Sequence, residues 1–168
     1  LIAVGEKLGC QPRVAVRVNP DFELKTSGMK MSGGPKQFGV DAEQVPALLK
    51  SIADSNLLLV GMHIFCGSQN LKVDALIDVQ NKTYALAETL MAELDHELEW
   101  LNLGGGFGIP YFKGDTPLDI APLGANLEPI IQRLKATSPS TQLVLELGRY
   151  IIGEAGVYIC QIVDRKIS

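Results

Sequence analysis

The sequence reads Leu98-Glu99-Trp100-Leu101-Asn102-Leu103 and then, without a break, Gly104-Gly105-Gly106-Phe107-Gly108. A second apolar run, Gln142-Leu143-Val144-Leu145, leads in the same way into Glu146-Leu147-Gly148-Arg149. The glycine turn offers bare backbone N–H groups, and the second turn offers a carboxylate and a guanidinium. A loop of N–H donors with an arginine is a common way to hold a phosphate dianion. A carboxylate beside such a site favours a ligand that carries both a phosphate and a basic nitrogen.

Outward from these two turns, strand and helix patterns alternate along the chain. Strands are predicted where β-branched or continuous apolar residues occur, at 13–18, 57–64, 99–103, 143–146 and 156–163. Helices are predicted where apolar residues recur with the helical period, after the candidate N-cap Asp41, over 74–94 and around 123–134. Alternation of this kind builds a parallel sheet with crossover helices.

Two α/β architectures fit this order, an open doubly wound sheet and a (β/α)8 barrel. Polar or glycine clusters follow four strands in a row, at 17–19, 63–68, 104–108 and 146–149. Both architectures bind ligands at the carboxyl ends of their strands. Polar clusters after successive strands favour the barrel, because all of its strands surround one opening. Because a whole barrel takes about 250 residues, we expect this chain to supply about half of a (β/α)8 TIM barrel.

Composition argues against several classes of protein. The net charge is −4, and no run of basic residues points to nucleic acid. No apolar stretch approaches the roughly 20 residues of a membrane helix, and no signal peptide is evident. The three cysteines are an odd number, which argues against a disulfide framework and favours a cytoplasmic protein. The spacing His63-x-x-Cys66 has no second pair, so we expect no metal site.

Four residues at strand ends are candidates for chemistry. Arg17 lies in an apolar strand and therefore needs a charged partner or a ligand. His63, taken alone, is more often a satisfied core residue than a catalyst, and Phe65 follows it on the same face of the strand. Ser68 either donates its hydroxyl to a phosphate or shapes a turn.

The loop after the first strand contains three lysines, which fit either a solvated loop or a mobile flap. They are Lys25, Lys30 and Lys36.

Together these residues resemble the pyridoxal-phosphate-dependent decarboxylases of the ornithine, diaminopimelate and arginine group. Their catalytic domain is a fold-type III, alanine-racemase-like barrel. The resemblance covers essentially the whole chain and rests on VRVNP (16–20), KQFGV (36–40), GMHIFCGSQ (61–69), LGGGFG (103–108) and ELGR (146–149). Residues 28–31 and 33–39 resemble the specialised-biosynthesis branch, which includes exosortase-associated, siderophore and carrier-protein-bound glutamate decarboxylases.

The resemblance implies roles for individual residues. Glu146 matches the acidic residue that pairs with the pyridine nitrogen of pyridoxal phosphate, and Arg17 and His63 are expected to act beside it. Phe65 stands where the family commonly has a histidine stacked on the cofactor ring. It can stack, but it cannot hydrogen-bond or carry charge. The implied phosphate-binding residues are Ser68, Gly104, Gly105, Gly106, Gly148 and Arg149.

The resemblance also implies a longer parent protein. We expect the Schiff-base lysine upstream of Leu1, the central-to-C-terminal part of the cofactor-binding barrel over 1–155, and the start of a connection to a β-rich domain over 156–168. The parent is expected to decarboxylate an amino acid, free or carrier-bound, as a homodimer, and the segment alone to be inactive. The alternatives are an amino-acid racemase on the same barrel, a non-enzymatic pyridoxal-phosphate carrier and a phosphate-binding barrel without pyridoxal. Glu146 argues against the racemase, since racemases of this fold often place an arginine there.

Overall fold

The computed structural model describes residues 1–22, 29–30 and 37–167. Its strands are β1 (Arg13–Asn19), β2 (Met29–Lys30), β3 (Val40–Asp41), β4 (Leu58–Ile64), β5 (Gly67–Ser68), β6 (Trp100–Gly105) and β7 (Gln142–Glu146). Its α-helices are α1 (Ile2–Leu8), α2 (Val45–Ala53), α3 (Val73–Met91), α4 (Ala121–Thr137) and α5 (Gly148–Ile152). Lys25 and Lys36 lie outside the described residues, so the flap stays a prediction.

The main sheet has the strand order β3-β1-β4-β6-β7, and every pair in it is parallel. The long strands β1, β4, β6 and β7 are neighbours in chain order, with α2, α3 and α4 as the crossovers between them. A doubly wound sheet reverses its order at a switch point, and these long strands do not. The prediction of an α/β barrel segment with crossover helices is therefore confirmed.

The two faces of the sheet differ in character because successive side chains alternate between them. Val16, Met62 and Leu101 are aligned across β1, β4 and β6 and are at most 4% exposed, since helices cover their face. One residue further along each strand, a polar row faces the other side, formed by Arg17, His63 and Asn102. The polar row thus lies on the inner face of the barrel segment, near the carboxyl ends of the strands.

The crossover helices bury the apolar stripes from which they were predicted. α2 begins with Pro46 in its first turn, where a missing N–H costs nothing. Among the described residues, no helix is long and apolar enough to cross a membrane. The buried helix residues that pack against the sheet include Val45, Leu49, Ile52, Leu76, Val79, Leu90, Leu123, Ile130 and Leu134.

Two local predictions are wrong. Residues 156–163 form no regular secondary structure, and their apolar side chains are exposed, Val157 by 89% and Ile159 by 87%. A strand needs a neighbour for its backbone N–H and C=O groups, and no described strand lies beside this run. Asp41 does not cap a helix with its side chain; its carboxylate accepts a hydrogen bond of 2.6 Å from Asn19 Nδ2.

Candidate functional site

A pocket of ≈ 250 Å³ opens at the carboxyl ends of the central strands. Every residue predicted to bind the cofactor lines this pocket except Gly104 and Gly105. Residues predicted at three separate strand ends therefore lie around one pocket in the structure. The lining residues are Phe65, Ser68, Gln69, Gly106, Phe107, Glu146, Gly148 and Arg149.

Glu146 ends β7, and two members of the polar row flank its carboxylate. Asn102 Nδ2 donates a hydrogen bond of 2.9 Å to Oε1, and His63 Nε2 lies 3.5 Å from Oε2. The Glu146 side chain is 47% exposed, whereas that of His63 is 17% exposed. His63 Nε2 is buried and makes no hydrogen bond within the described part of the chain. A buried nitrogen without a partner leaves a place in this network for a further polar group.

The pKa of the His63 imidazole lies below its ordinary value, which favours the uncharged ring. Burial is the largest influence on the pKa of His63 and lowers it, because the charged form is poorly solvated there. The Glu146 carboxylate raises this pKa and the Arg17 guanidinium lowers it, and the net direction is downward. Burial therefore disfavours a charged imidazolium in the contact between His63 and Glu146.

Among the described residues, the Arg17 guanidinium has aromatic neighbours, where its place in an apolar strand predicted a charged partner or a ligand. Its Cζ lies 5.5 Å from the ring centroid of Phe38 and 5.4 Å from that of Phe65. Cation–π contacts of this kind stabilise a guanidinium that is partly withdrawn from water. The ring of Phe65 is also 6.2 Å from that of His63. Phe65 thus links the polar row to the pocket.

The three adjacent glycines differ in what they do. A Cβ on Gly105 would lie 1.8 Å from the carbonyl oxygen of Glu146, so only glycine lets β6 and β7 approach here. Gly104 has φ +72° and donates its N–H to Asn102 Oδ1 at 2.8 Å. The N–H of Gly104 already has this acceptor, and the predicted role of Gly104 in binding the phosphate stays a prediction. Gly106 is the member of the three that lines the pocket.

The loop after β4 is joined to the glycine loop by backbone hydrogen bonds. The N–H of Asn70 donates to Gly106 O at 2.8 Å, and the N–H of Gly108 donates to Asn70 O at 2.9 Å. A Cβ on Gly108 would lie 3.0 Å from the same Asn70 oxygen. The two loops therefore form one connected floor for the pocket.

Gln69 holds the end of this floor through its side-chain amide. Its Nε2 donates to Ile109 O at 2.5 Å, and its Oε1 accepts from Ile109 N at 3.3 Å. Arg149 Nη1 donates to the same Oε1 at 3.2 Å. Sequence analysis missed both Gln69 and Asn102 as site residues. Asn102 could have been noticed in the sequence, because it is a polar residue inside an apolar strand that leads into the glycine turn.

The His63-x-x-Cys66 spacing does not bring the two side chains together. His63 belongs to the inner polar row, whereas Cys66 Sγ lies 3.5 Å from Thr83 Oγ1 of α3, on the helix-covered side. Within 1–22 and 37–167, no group of three His, Cys, Asp or Glu side chains is arranged to hold a metal ion.

The family model described as the pyridoxal binding domain of pyridoxal-dependent decarboxylases matches residues 3–153. The chain belongs to this family. The family's cofactor is pyridoxal phosphate, as the sequence motifs predicted. Membership of the family also confirms the predicted resemblance.

Two curated relatives are similar to nearly the whole of the chain. The L-glutamyl-[BtrI acyl-carrier protein] decarboxylase of Niallia circulans is 34% identical over 98% of this chain and 39% of its own length. The diaminopimelate decarboxylase of Aquifex aeolicus is 34% identical over 95% of this chain and 37% of its own length. The chain therefore spans well under half of either relative.

A solved structure agrees on the fold. Diaminopimelate decarboxylase from Helicobacter pylori, complexed with L-lysine, superposes with a TM-score of 0.71. It is 23% identical, and the match covers 86% of this chain and 36% of that one. At this identity the likeness concerns the fold alone.

The residues around the pocket fit the parts of pyridoxal phosphate. A basic ring nitrogen calls for an anionic partner, a phosphate for a cation and N–H donors, and the ring for an apolar face. Glu146, Arg149 with Gly106, and Phe65 offer these groups around one cavity. The unpartnered His63 Nε2 beside Glu146 is a further sign that the polar network is completed by a bound group.

Proposed function

We propose that this chain forms the cofactor-binding barrel segment of a pyridoxal-phosphate-dependent amino-acid decarboxylase, a carbon–carbon lyase. The observation that carries the proposal is that Glu146 and Arg149 line the same pocket. Phe65 lies between the polar row and this cavity. The family match over residues 3–153 supports the same activity. Residues 1–155 are proposed as part of the barrel and 156–168 as the connection to a second domain.

When bound, pyridoxal phosphate supplies an electron sink for the carbanion left by loss of CO2. In our proposal Glu146 holds the proton on the ring nitrogen, because a nearby carboxylate favours the charged pyridinium. Burial, and to a smaller extent Arg17, lower the pKa of His63 and favour its neutral form, which leaves the Glu146 carboxylate to act on the ring nitrogen. Phe65 packs against the ring.

The phosphate is proposed to lie at the other end of the pocket. Arg149 supplies the charge-assisted contact, and Gly106, Gly148 and Ser68, which line the same cavity, are proposed to add N–H and hydroxyl donors. Gly104 and Gly105 support this end indirectly, because they allow β6 to approach its neighbours closely.

The proposed substrate is an amino acid of the diaminopimelate or ornithine type, or an amino acid attached to a carrier protein. The Aquifex aeolicus relative supports the first alternative, and the Niallia circulans relative supports the second. We also propose a cytoplasmic homodimer on the strength of the family resemblance and the odd number of cysteines. Sedimentation of the full-length protein tests the dimer.

The decisive experiment compares Glu146→Gln with Arg149→Ala in the full-length protein. Glu146→Gln keeps size and hydrogen bonding but loses the charge, so turnover at saturating cofactor should fall roughly 10²- to 10³-fold while cofactor affinity changes little. Arg149→Ala should weaken cofactor binding by about 2–3 kcal/mol, roughly thirty- to a hundred-and-fiftyfold.

The exposed residues Glu154 and Arg165 offer matched controls. Glu154→Gln and Arg165→Ala remove the same charges outside the pocket and should leave both quantities unchanged. If Glu146→Gln retains full turnover at saturating cofactor, Glu146 is not the partner of the ring nitrogen.

A further inference from the structure

Each of the two charged groups of the pocket is held by the amide of another side chain. Asn102 bonds Glu146, and Gln69 bonds Arg149. We propose that Asn102 and Gln69 are positioning residues that set these two charges against the ring-nitrogen end and the phosphate end of the cofactor. The inference rests on the proposed function and adds to it the way in which the site is held in shape.

The orientation of the Asn102 amide is fixed by its neighbours. The carboxylate of Glu146 can only accept and the N–H of Gly104 can only donate, so Nδ2 must face Oε1 and Oδ1 must face Gly104. Asn102 is also only 8% exposed and lies on β6, between β4 and the edge strand β7. The amide therefore fixes the rotation of the carboxylate, and Oε2 is left on the side of His63.

The Gln69 amide is fixed in the same manner at the other end. Its Oε1 faces two donors, Ile109 N and Arg149 Nη1, while its Nε2 faces a carbonyl oxygen. Gln69 has φ +56°, a left-handed backbone conformation that few residues other than glycine adopt. Backbone strain of this kind persists where the surrounding structure enforces it, and it concentrates at functional sites.

Both amides also fasten the same loop. Asn102 bonds Gly104 where the loop begins, and Gln69 bonds Ile109 where it ends. Each amide thus ties one end of the glycine loop to one charged side chain. The hydrogen bonds of Asn102 and Gln69 thus set the distance between the Glu146 carboxylate and the Arg149 guanidinium.

The experiment removes the bond from each amide to its charged side chain. Asn102→Ser spares the loop, whereas Gln69→Asn also weakens the link to Ile109. Asn102→Ser keeps a short side chain that accepts the Gly104 N–H, as serine does in turns, but it cannot reach Glu146. Gln69→Asn tolerates the left-handed backbone, but it is one methylene too short to bond Ile109 and Arg149 together. Both variants are made in the full-length protein, together with Asn126→Ser, which breaks an amide bond to Gln80 away from the pocket.

Two readouts separate the two ends of the site. Ring protonation is followed by ¹⁵N NMR of bound pyridoxal phosphate labelled at the ring nitrogen, and phosphate recognition by the ratio of dissociation constants for pyridoxal phosphate and pyridoxal. We expect Asn102→Ser to lower the pH at which the ring nitrogen loses its proton by about one unit, with the ratio unchanged. We expect Gln69→Asn to reduce the preference for the phosphate form roughly tenfold, with ring protonation unchanged. Asn126→Ser should change neither.

The outcomes are distinguishable. If the wild-type protein does not bind pyridoxal phosphate, the proposed function falls and this inference falls with it. If the wild type binds and the two variants change both readouts alike, or change only the thermal unfolding midpoint, the amides are structural and the inference alone is overturned.

Discussion

Cys66 is 5% exposed and packs against α3, with Sγ 3.5 Å from Thr83 Oγ1. Burial raises the pKa of its thiol to about 11. Because the thiolate is the reactive species, a brief pulse of iodoacetamide at about pH 8 should label the exposed Cys10 and Cys160 and spare Cys66. Peptide mass spectrometry measures the labelling, with a urea-unfolded sample as the control. Rapid labelling of Cys66 in the native protein would contradict the packing described.

Gly61 and Gly124 should respond in opposite directions to the same substitution. A Cβ on Gly61 would lie 2.3 Å from Trp100 Cε2, so Gly61→Ala must displace the indole and should cost about 1–3 kcal/mol. Gly124 lies in α4 with nothing within 4 Å of an added Cβ, so Gly124→Ala should stabilise by about 0.4–1 kcal/mol. Urea unfolding of both variants measures the two effects. A stabilising Gly61→Ala would contradict the close approach of Gly61 to Trp100, and a destabilising Gly124→Ala would contradict the open space beside Gly124.

Single residues were predictable where their charge alone marked them. Glu146 and Arg149 stand out at a strand end, and the structure places both at the pocket. Asn102 and Gln69 did not stand out, because their importance lies in partners 44 and 80 residues away along the chain. Arg17 was recognised as unusual, but the aromatic identity of its neighbours depended on packing that no local pattern contains.

At the level of secondary structure, the strands buried on both faces were the easiest to predict. The run 57–64 became β4, and its boundaries differ from the prediction by one residue. The run 156–163 has an equally apolar pattern but stays without regular structure, since pairing depends on a neighbour that the pattern cannot specify. The short helix α5 was missed because five residues are too few to show a helical period.

The connection between α3 and β6 should make stability depend on pH. His96 contacts Asp95 Oδ1 through Nδ1 at 2.8 Å and Leu59 O of β4 through Nε2 at 3.0 Å. The hydrogen bond to Asp95 raises the pKa of His96 most, followed by the bond to the Leu59 carbonyl, because both acceptors favour the protonated ring.

Since this folded-state pKa lies above the ordinary value of 6.5, the stabilisation is complete below that value and is lost as pH rises through the raised pKa. We therefore expect His96→Gln to lower the free energy of unfolding more at about pH 5.5 than at about pH 8.5. Urea titrations of wild type and variant at both pH values measure the difference. A difference that does not change with pH would show that His96 does not gain its proton on folding.

For the molecule as a whole, the open side of the sheet should drive association. Among the described strands β7 pairs only with β6, so one edge of β7 is unpaired, and the inner face carries the exposed side of the polar row. An unpaired strand edge is a template for another chain. We expect residues 1–168, produced alone, to self-associate.

Sedimentation velocity over a dilution series measures this association. A variant that ends at Ala155 serves as the control, because it removes the exposed apolar residues of 156–167 but keeps the open edge. It should still associate. A monomer that unfolds cooperatively at every concentration would contradict the open-edge argument.

The alignment of β1, β4 and β6 has a consequence for how reliably the protein is made. If β4 slipped by one residue, His63 would turn toward the helices and Met62 toward water. The same error would expose apolar surface and dismantle the polar row. A mispaired copy therefore exposes apolar surface and lacks the polar row, so the chaperones and proteases that recognise exposed apolar surface also act on the inactive copies.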